Sequence, residues 1–499
     1  MLNIPYSYYL CSAGQCRHMD EKTISDFGID GFTLMETAGT RAADYIEAVT
    51  EQKSHGLFIC GKGNNAGDAL VVARLLSQHE VDITICFISG TDSLTQDTSK
   101  NLDLLKKLDT EINIHNWDTF APGEYDFIVD GMLGTGLDSE VREPYSDAIK
   151  WINQQECPVF SLDVPTGLHA DSGRILGTAV KADYTLSFGA LKTGFYLDQG
   201  FDITGQVVHC ELSFPNKYKK ATAYLIDQEW VNANSPDVQT PKHKYDSGVL
   251  YIIAGSEGLT GAAVMAARSA WSAGLGAVVL ITPKGLLEIY EKNLVQIIKK
   301  PVGNTSDSFF EPSHLDEILN TIKEKPGAVL IGPGLGRKKV TIQFAQQFIQ
   351  TYNGKLIIDA DALYALGKQD KWDKPQAAEW ILTPHPGELQ LLLNPDFGDS
   401  YERMMETCST SKEKKVTILS KGLPSIVATT SGQSFITGYD TRIFARAGFG
   451  DILAGKIGAY WLTYPSTKLA CFHALLNGYE KAAHFIRENE RGPEPLDII

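Results

Sequence analysis

From residue 56 the chain returns again and again to one pattern: a short apolar run, a turn rich in Gly, Asn or Asp, then an amphipathic stretch. GLFICGKGNNAGDALVVARLL, VDITICFISG, YDFIVDGMLGTG and CPVFSLDVPTGL all follow it. Strands alternating with helices at this spacing predict a parallel sheet covered on both faces. ADYTLSFGALKTGF and GQVVHCELSF read as two more strands that finish this sheet. A polar, weakly periodic stretch after Phe214 reads as a linker, which puts a boundary near residue 220 and gives units of 1–220 and 221–499. The second unit repeats the rhythm in GVLYIIAGS, AVVLITP, GAVLIGPGLG, KLIIDADALYAL, AEWILTPHPGELQLLL and VTILSKG, and turns hairpin-like between Ser425 and Ile436. No fixed-period repeat is visible, so the expectation is two separate α/β domains, each of three layers.

The length of 499 residues agrees with more than one core, and 43% hydrophobic with 21% charged residues is the balance of a folded chain. A net charge of -16 without a long basic run makes nucleic acid and anionic membrane poor partners. Phosphorylated small molecules stay open, because backbone N–H groups hold phosphate without net positive charge. The eight cysteines form no CxxC pair and no zinc-like spacing, which reads as reduced thiols in a cytoplasmic protein. Nothing in the N-terminal residues reads as a signal peptide, and no apolar run approaches membrane-spanning length. Wide apolar helices of α/β domains favour self-association, so a homo-oligomer is expected.

In the first unit Gly61, Gly63 and Ala66 fit GxGxx(G/A) between a strand and a helix, the setting of a phosphate-binding turn. The next strand ends in Ser89 and Gly90 and lacks the acid of an ordinary dinucleotide site. Asn64, Asn65 and Asp68 make the turn unusually polar; the same residue types also serve as plain turn formers and N-caps. Asp130 and Asp163 close two later strands, so with Asn65 they point at one crevice beyond the carboxyl ends. Oxygens of Asn65, Asp130 and Thr166 suit a monovalent or hard cation.

In the second unit, Ala447-Gly448-Phe449-Gly450-Asp451 precedes an apolar helix, so consecutive amides converge on an anion with Asp451 beside it as a base. Gly450 to Lys456 spells GxxxxGK, but Ile457 stands where a Walker motif needs Ser or Thr, which excludes that motif. Gly-rich strand ends at 254–263, 332–336, 383–388 and 420–425 imply a shared nucleotide and substrate cleft, with His385 exposed to it. Glu388 reads equally as a metal-water ligand or a helix cap.

YLCSAGQCRHMD, LMETAG, GKGNNAGDALVVARLL, VDGMLGTGL, SLDVPTGL and FGALKTGF, in this order over about residues 8–215, resemble the YjeF N-terminal domain of the NAD(P)H-hydrate epimerase family. GPGLG, TPHPGE, SKGLPS and GFGD, with KHKYDSG at 242–248, resemble the ribokinase-like ADP- or ATP-dependent (S)-NAD(P)H-hydrate dehydratases over roughly 225–495. Together the resemblance implies a Rossmann-like domain followed by a ribokinase-like domain, in the order of the bifunctional cofactor repair enzymes, acting on NADHX and NADPHX. It implies substrate contacts at Asn64, Asn65, Ala66, Gly67 and Asp68, and along Gly134, Thr135, Gly136, Leu137, Asp138, Ser139 and Glu140. Asp163 is the expected acid/base of epimerisation with Lys192 as electrostatic helper, and K⁺ is expected among Asn65, Asp130 and Thr166. In the second unit the substrate side is expected at Ala263, Gly334 and His385, and the nucleotide side at Lys421, Gly422, Leu423, Pro424, Ser425, Gly448 and Gly450. Asp451 deprotonates the hydrate hydroxyl, and Mg²⁺ neutralises charge on the ADP or ATP.

Three departures mark this chain: NNAGDA for NNGGDG, Asp138-Ser139-Glu140 for a basic residue after GTGL, and GFGD for GTGD. The first adds methyls of Ala66 and Ala69 near the phosphate turn and the second adds repulsion, so a weakened epimerase is expected. The competing readings are a small-molecule kinase fused to a nucleotide-binding module, and a first half that senses without chemistry.

Overall fold

The computed structural model describes residues 2–108, 112–237, 248–325, 327–369, 371–394 and 396–499. Of KHKYDSG at 242–248, only Gly248 falls within them. The chain divides into two compact units, Ile4–Tyr224 and Leu225–Ile499 with Met1–Asn3.

The first unit carries a seven-stranded sheet in the order Asn113–Asn116, Asp82–Phe87, His55–Cys60, Phe127–Gly131, Val159–Leu162, Tyr184–Phe188 and Gln206–Cys210. Every pairing in it is parallel. Side chains alternate along each strand, so Phe58 and Cys60 enter one core with Ala42, Ile46, Leu70 and Leu102. Leu57 and Ile59 enter the opposite core with Ala148, Ile149 and Ile152. Burial on both faces is why these strands read as unbroken apolar runs.

His55–Cys60 is the pivot: the chain goes next to Asp82–Phe87 on one side and later to Phe127–Gly131 on the other. Such a reversal opens a crevice at the carboxyl ends of the two central strands. The ends are close enough that a Cβ at Gly61 would stand 2.1 Å from the Met132 carbonyl, so glycine is required there. Tyr184–Phe188 and Gln206–Cys210 finish the sheet as expected, but the residues from Ala190 on, read together with the first of these strands, do not join it. Leu191–Lys192 instead pairs in parallel with Tyr9–Cys11, which carries Lys192 beneath the crevice. The edge strand Asn113–Asn116 is exposed throughout and has no apolar signature to read.

In the second unit the sheet runs Ile298–Val302, Val278–Pro283, Val249–Ile253, Gly327–Ile331, Lys355–Ile358, Glu379–Leu382 and Thr417–Ser420, all parallel. It then turns antiparallel through Ile426–Ala428 and Ser434–Thr437, the expected hairpin. The edge strand Ile298–Val302 carries Lys299, Lys300 and Pro301, residues that protect an edge and hide it from pattern reading. Helices Leu315–Lys323, Lys339–Thr351, Ala360–Gly367 and Pro386–Leu393 cover one face around Phe344, Phe348 and Trp380. On the other side helix Phe449–Thr463 packs against Thr260–Ser272 and Thr467–Glu488. Among the described residues no helix is long and apolar enough to cross a membrane.

Candidate active sites

The crevice of the first unit is a cavity of about 790 Å³ lined by Asn64, Asn65, Asp68, the 134–139 loop, Asp163 and Lys192. Cys16 and Asp20 join them, one helical turn apart on a helix that begins with a capping box. Ser12 Oγ accepts from the Gln15 amide at 3.2 Å and Gln15 Oε1 accepts from the Ser12 amide at 3.0 Å, which sets where that helix starts.

Asp163 sits just past its strand with φ 62°, a left-handed conformation that Asp tolerates better than most residues. Lys192 is 1% exposed, which rules out a solvated loop lysine. Its ammonium donates to Asp163 Oδ1. It also donates to Ser187 Oγ at 3.1 Å and to the Phe188 carbonyl at 3.0 Å, so all three donors are used. Burial works against the charge of Lys192, but Asp163, Cys16 and Asp20 outweigh it and hold the group above the ordinary lysine value. The other oxygen of Asp163 faces the GTGL loop, 3.5 Å from where a Cβ on Gly134 would stand.

Asp20 and Asp68 were not assigned acid/base roles from the sequence, and the site raises the pKa of both. Burial, with Asp163 adding to it, pushes Asp20 up to about 6. Burial, then Asp163 and Asp20, hold Asp68 well above the carboxylate range. Three carboxyl groups share one ammonium, so part of this acid set carries a proton near neutral pH. Asn64 and Asn65 open helix Asn64–Leu76 and Asp68 lies one turn further along it, so all three belong to the helix rather than to the loop before it.

Two expectations for this turn need correction. Ala66 is fully buried in the core with Ala42, Leu70 and Phe58, so its methyl faces away from the crevice. Ala69 belongs to the same core and lies where a Cβ on Gly131 would meet it at 2.6 Å. Gly67 also packs inward, since a Cβ there would reach Met35 and Thr98. Glu140 is exposed and stands outside the cavity lining.

Asp130 and Thr166 lie under the crevice floor, 0% and 1% exposed. Asp130 accepts from Thr166 Oγ1 at 2.7 Å, the Thr166 amide at 2.9 Å, Ser161 Oγ at 2.9 Å and the Met132 amide at 3.2 Å. Burial raises its pKa, with these hydrogen bonds opposing, and no cationic side chain pairs with it among the described residues. The buried Oδ1 of Asn65 has no donor, while Asn65 Nδ2 donates to the Leu133 carbonyl at 3.2 Å, which also accepts from Thr166 Oγ1 at 3.2 Å. An unpartnered amide oxygen, linked through one carbonyl and Thr166 to an uncompensated buried carboxylate, fits a monovalent cation. The direct ligands would be Asn65 and backbone carbonyls, because the four hydrogen bonds already fill the lone pairs of Asp130.

In the second unit a cavity of about 290 Å³ is lined by His385, Lys421, Gly422, Leu423, Ser425, Phe449, Gly450 and Lys456. The helix begins at Phe449, with Gly448 as its N-cap at φ 102°. The Ile452 amide already bonds the Gly448 carbonyl at 3.2 Å, which shifts the open amides to Phe449, Gly450 and Asp451. No side chain caps them. A Cβ on Gly450 would stand 3.4 Å from Lys421 Nζ, so an ammonium and the helix N-terminus share one spot.

Lys421 donates to Asp359 Oδ1 at 2.9 Å, and Thr383 Oγ1 donates to the same oxygen at 2.7 Å. Burial opposes the charge of Lys421, but Asp359, Glu388 and Asp451 hold it above the ordinary lysine value. Asp451 is pushed up to about 7 by burial and then by Asp359, against the pull of Lys421. A carboxylate poised there is a competent general base. Asp359 and Asp361, in the DAD of KLIIDAD, had no role assigned from the sequence. Asp361 accepts from the Gly336 amide at 2.9 Å and Arg337 Nε at 2.8 Å, tying the GPGLG turn to the next strand end.

His385 is the N-cap of helix Pro386–Leu393; its Nδ1 accepts from the Gly387 amide at 3.1 Å and the Glu388 amide at 3.3 Å. Glu388 Oε2 returns the bond to the His385 amide at 3.0 Å, so Glu388 is a cap. An accepting Nδ1 requires an unprotonated atom there, and burial together with Lys421 lowers the imidazole pKa accordingly. Ala263 is fully buried, which excludes its side chain from substrate contact. Gly334 lies outside the cavity lining, its carbonyl accepting from Ser256 Oγ at 2.9 Å. Pro424 and Gly448 also stand behind the lining. Arg403, 5% exposed, staples the SKGLPS loop by donating to Ser420 Oγ and to the carbonyls of Lys421, Leu423 and Pro424.

Two parallel-sheet α/β units, each with acids at the carboxyl ends of its strands, define a two-site protein that seats ligands beyond those ends. The family model described as YjeF-related protein N-terminus matches residues 31–194, and the one described as NAD(P)H-hydrate dehydratase matches 250–498. The bifunctional NAD(P)H-hydrate repair enzyme Nnr of Salinibacter ruber is 33% identical over 476 residues, covering 89% of this chain and 86% of its own. Its namesake in Escherichia coli is 28% identical over 468 residues, covering 92% and 85%. The chain belongs to the family of bifunctional NAD(P)H-hydrate repair enzymes. A solved ADP/ATP-dependent NAD(P)H-hydrate dehydratase from Bacillus subtilis, co-crystallised with ATP/Mg²⁺, is 22% identical and covers 55% of this chain and 94% of its own, at a TM-score of 0.45.

Proposed function

We propose that this chain repairs hydrated nicotinamide cofactors: Ile4–Tyr224 interconverts the R and S forms of NADHX and NADPHX, and Leu225–Ile499 dehydrates the S form at the expense of ADP or ATP. The carrying observation is Asp451, pushed to about 7 beside open helix amides and Lys421. Asp451 takes the proton of the C6 hydroxyl as that oxygen bonds the terminal phosphorus and the nucleotide's bridging P–O bond breaks. The amides of Phe449, Gly450 and Asp451, with Lys421, bear the charge spreading over the phosphoryl oxygens. Phosphate then leaves with the C6–O bonding pair, a proton leaves C5, and the ring double bond is restored.

In the first unit Asp20 protonates the departing hydroxyl, and Asp163, held by Lys192, accepts a proton from water returning to the opposite face. Mg²⁺ would neutralise phosphate charge, held mainly by the nucleotide and water, since Asp359, Asp361 and Glu388 are each engaged by protein donors. K⁺ would bind at Asn65 Oδ1 and serve as countercharge for Asp130. Exchanging it for tetramethylammonium should lower epimerase activity and the first unit's melting temperature; no change in either withdraws the ion.

The reading is tested by incubating a mixed R/S hydrate with ADP or ATP and following the absorbance of the reduced cofactor. Full recovery is expected. Recovery of the S fraction alone would leave the first unit without epimerase activity, and no recovery would refute the dehydratase. The eight unbridged cysteines suit the proposed setting, a reducing cytoplasm.

A further inference from the structure

The helix that brings Asp20 to the crevice of the first unit begins with two thiols in contact. Its capping box makes Ser12 the N-cap, so Cys11 stands at N′ and Cys16 at N4. Those two positions meet across the first turn of a capped helix, where an apolar pair normally packs as a staple. Here the staple is a pair of cysteines, both in the small core formed with Met19, Leu34 and Phe214. Their side chains are within hydrogen-bonding reach of each other, and both are free thiols.

The two thiols differ in access. Cys11 is 0% exposed, on a strand whose register places it opposite Lys192. Cys16 is 8% exposed and is the one cysteine on the wall of either cavity among the described residues. Hydrogen bonding with Cys11 lowers the pKa of Cys16, burial opposes this, and the Lys192 ammonium adds to the lowering against Asp163 and Asp20. The thiolate is the form that oxidants attack, so the reachable sulfur is also the more reactive, with its partner directly behind it. Neither thiol has a part in the proton transfers of the site, and in a reducing setting a disulfide is transient and serves as a sensor.

We propose that Cys11 and Cys16 form a reversible disulfide when hydrogen peroxide enters the crevice, and that this bond slows the activity of the first unit. The Cys16 thiolate attacks one peroxide oxygen, the O–O bond breaks and hydroxide leaves, which gives a sulfenic acid. The Cys11 sulfur then bonds to the Cys16 sulfur, the S–O bond breaks, and the oxygen departs as water with the Cys11 proton. The two thiols are oxidised and the peroxide is reduced to water. Closing the bond draws Cys16 off the crevice wall toward the strand. Asp20, one turn further along the same helix face, shifts with it. The loss of activity rests on the epimerase reading above; the bond itself does not.

The test treats the full chain with hydrogen peroxide and maps cross-links by peptide mass spectrometry, with R-to-S conversion and dehydration of pure S-hydrate measured before and after dithiothreitol. Peroxide should join Cys11 to Cys16 with the loss of two hydrogens and lower R-to-S conversion at least about tenfold, leaving dehydration unchanged. Dithiothreitol should reverse both changes. Cys11→Ser should leave the Cys16 sulfenic acid unbridged and open to capture by dimedone. Cys16 left unmodified, or carried to a sulfinic acid without a bridge, overturns the proposal, as does a bond between other cysteines. A Cys11–Cys16 bond with conversion unchanged refutes its control of the site. No conversion by the reduced chain refutes the epimerase reading, and the mapped bond then decides the oxidation site alone. The wild-type map decides that site even if the variant folds poorly.

Discussion

The two clefts treat their acids in opposite ways. In the first unit Asp163 is locked to a fully buried ammonium, while burial and neighbouring carboxyl groups push Asp20 up to about 6 and hold Asp68 well above the carboxylate range. In the second unit Lys421 is spent on Asp359, which leaves Asp451 short of a counterion and pushed to about 7. One lysine therefore fixes a charge where it sits directly on the acid, and tunes a proton affinity where it sits one group away. The difference matches the chemistry proposed for each half. Passing protons to and fro needs acids in both states, whereas a kinase-like step needs a single base.

The largest way to break this contrast is Asp451→Asn, which should cut dehydration of pure S-hydrate by about 10² to 10⁴ while leaving epimerisation intact. Near-normal turnover would place the base elsewhere. Next, Asp163→Ala should stop R-to-S conversion and strand the Lys192 charge, destabilising the first unit by about 3 to 5 kcal/mol. Asp163→Asn, which keeps a partner for Lys192, should lose activity with a smaller stability loss, and denaturant melts of the two variants separate the roles.

Smaller is the pH response. Asp451 must be ionised to accept a proton, so dehydratase kcat should rise through about pH 7, ~10-fold between pH 6 and 8. A profile flat across that range would deny Asp451 the role. The sign for stability is opposite: a carboxyl with raised folded pKa is least favourable once ionised, so Asp451→Asn should melt higher than wild type at pH 8. Smallest is Ala66→Gly. Because the methyl is in the core, the change should cost about 1 kcal/mol and leave substrate affinity unimproved, measured by thermal melts and KM.

Much of this was legible because buried parallel strands announce themselves as apolar runs, and acids placed at their ends can be counted. Asp130 and Asp163 were found that way, and Asp451 from the glycine-rich turn that opens an apolar helix. Asp20 was not, because it lies on a short helix that reaches the crevice through tertiary packing. Asp359 escaped notice because its role depends on Lys421 arriving from a strand two places away in the sheet. The direction of Ala66 was misread for a similar reason: NNAGDA looks like a loop, but the helix begins at Asn64 and its phase turns the third residue inward. Strands Asn113–Asn116 and Ile298–Val302 lie at sheet edges, where polar residues are selected and no period survives.

The grip of Arg403 on the SKGLPS loop bears on kinetics. A loop already anchored through its own carbonyls has little left to order when a nucleotide arrives, so binding spends little conformational entropy there. For the proposed nucleotide, association is therefore expected to be a single diffusional encounter with a finished wall, with residence time set by the ligand's own contacts rather than by a lid.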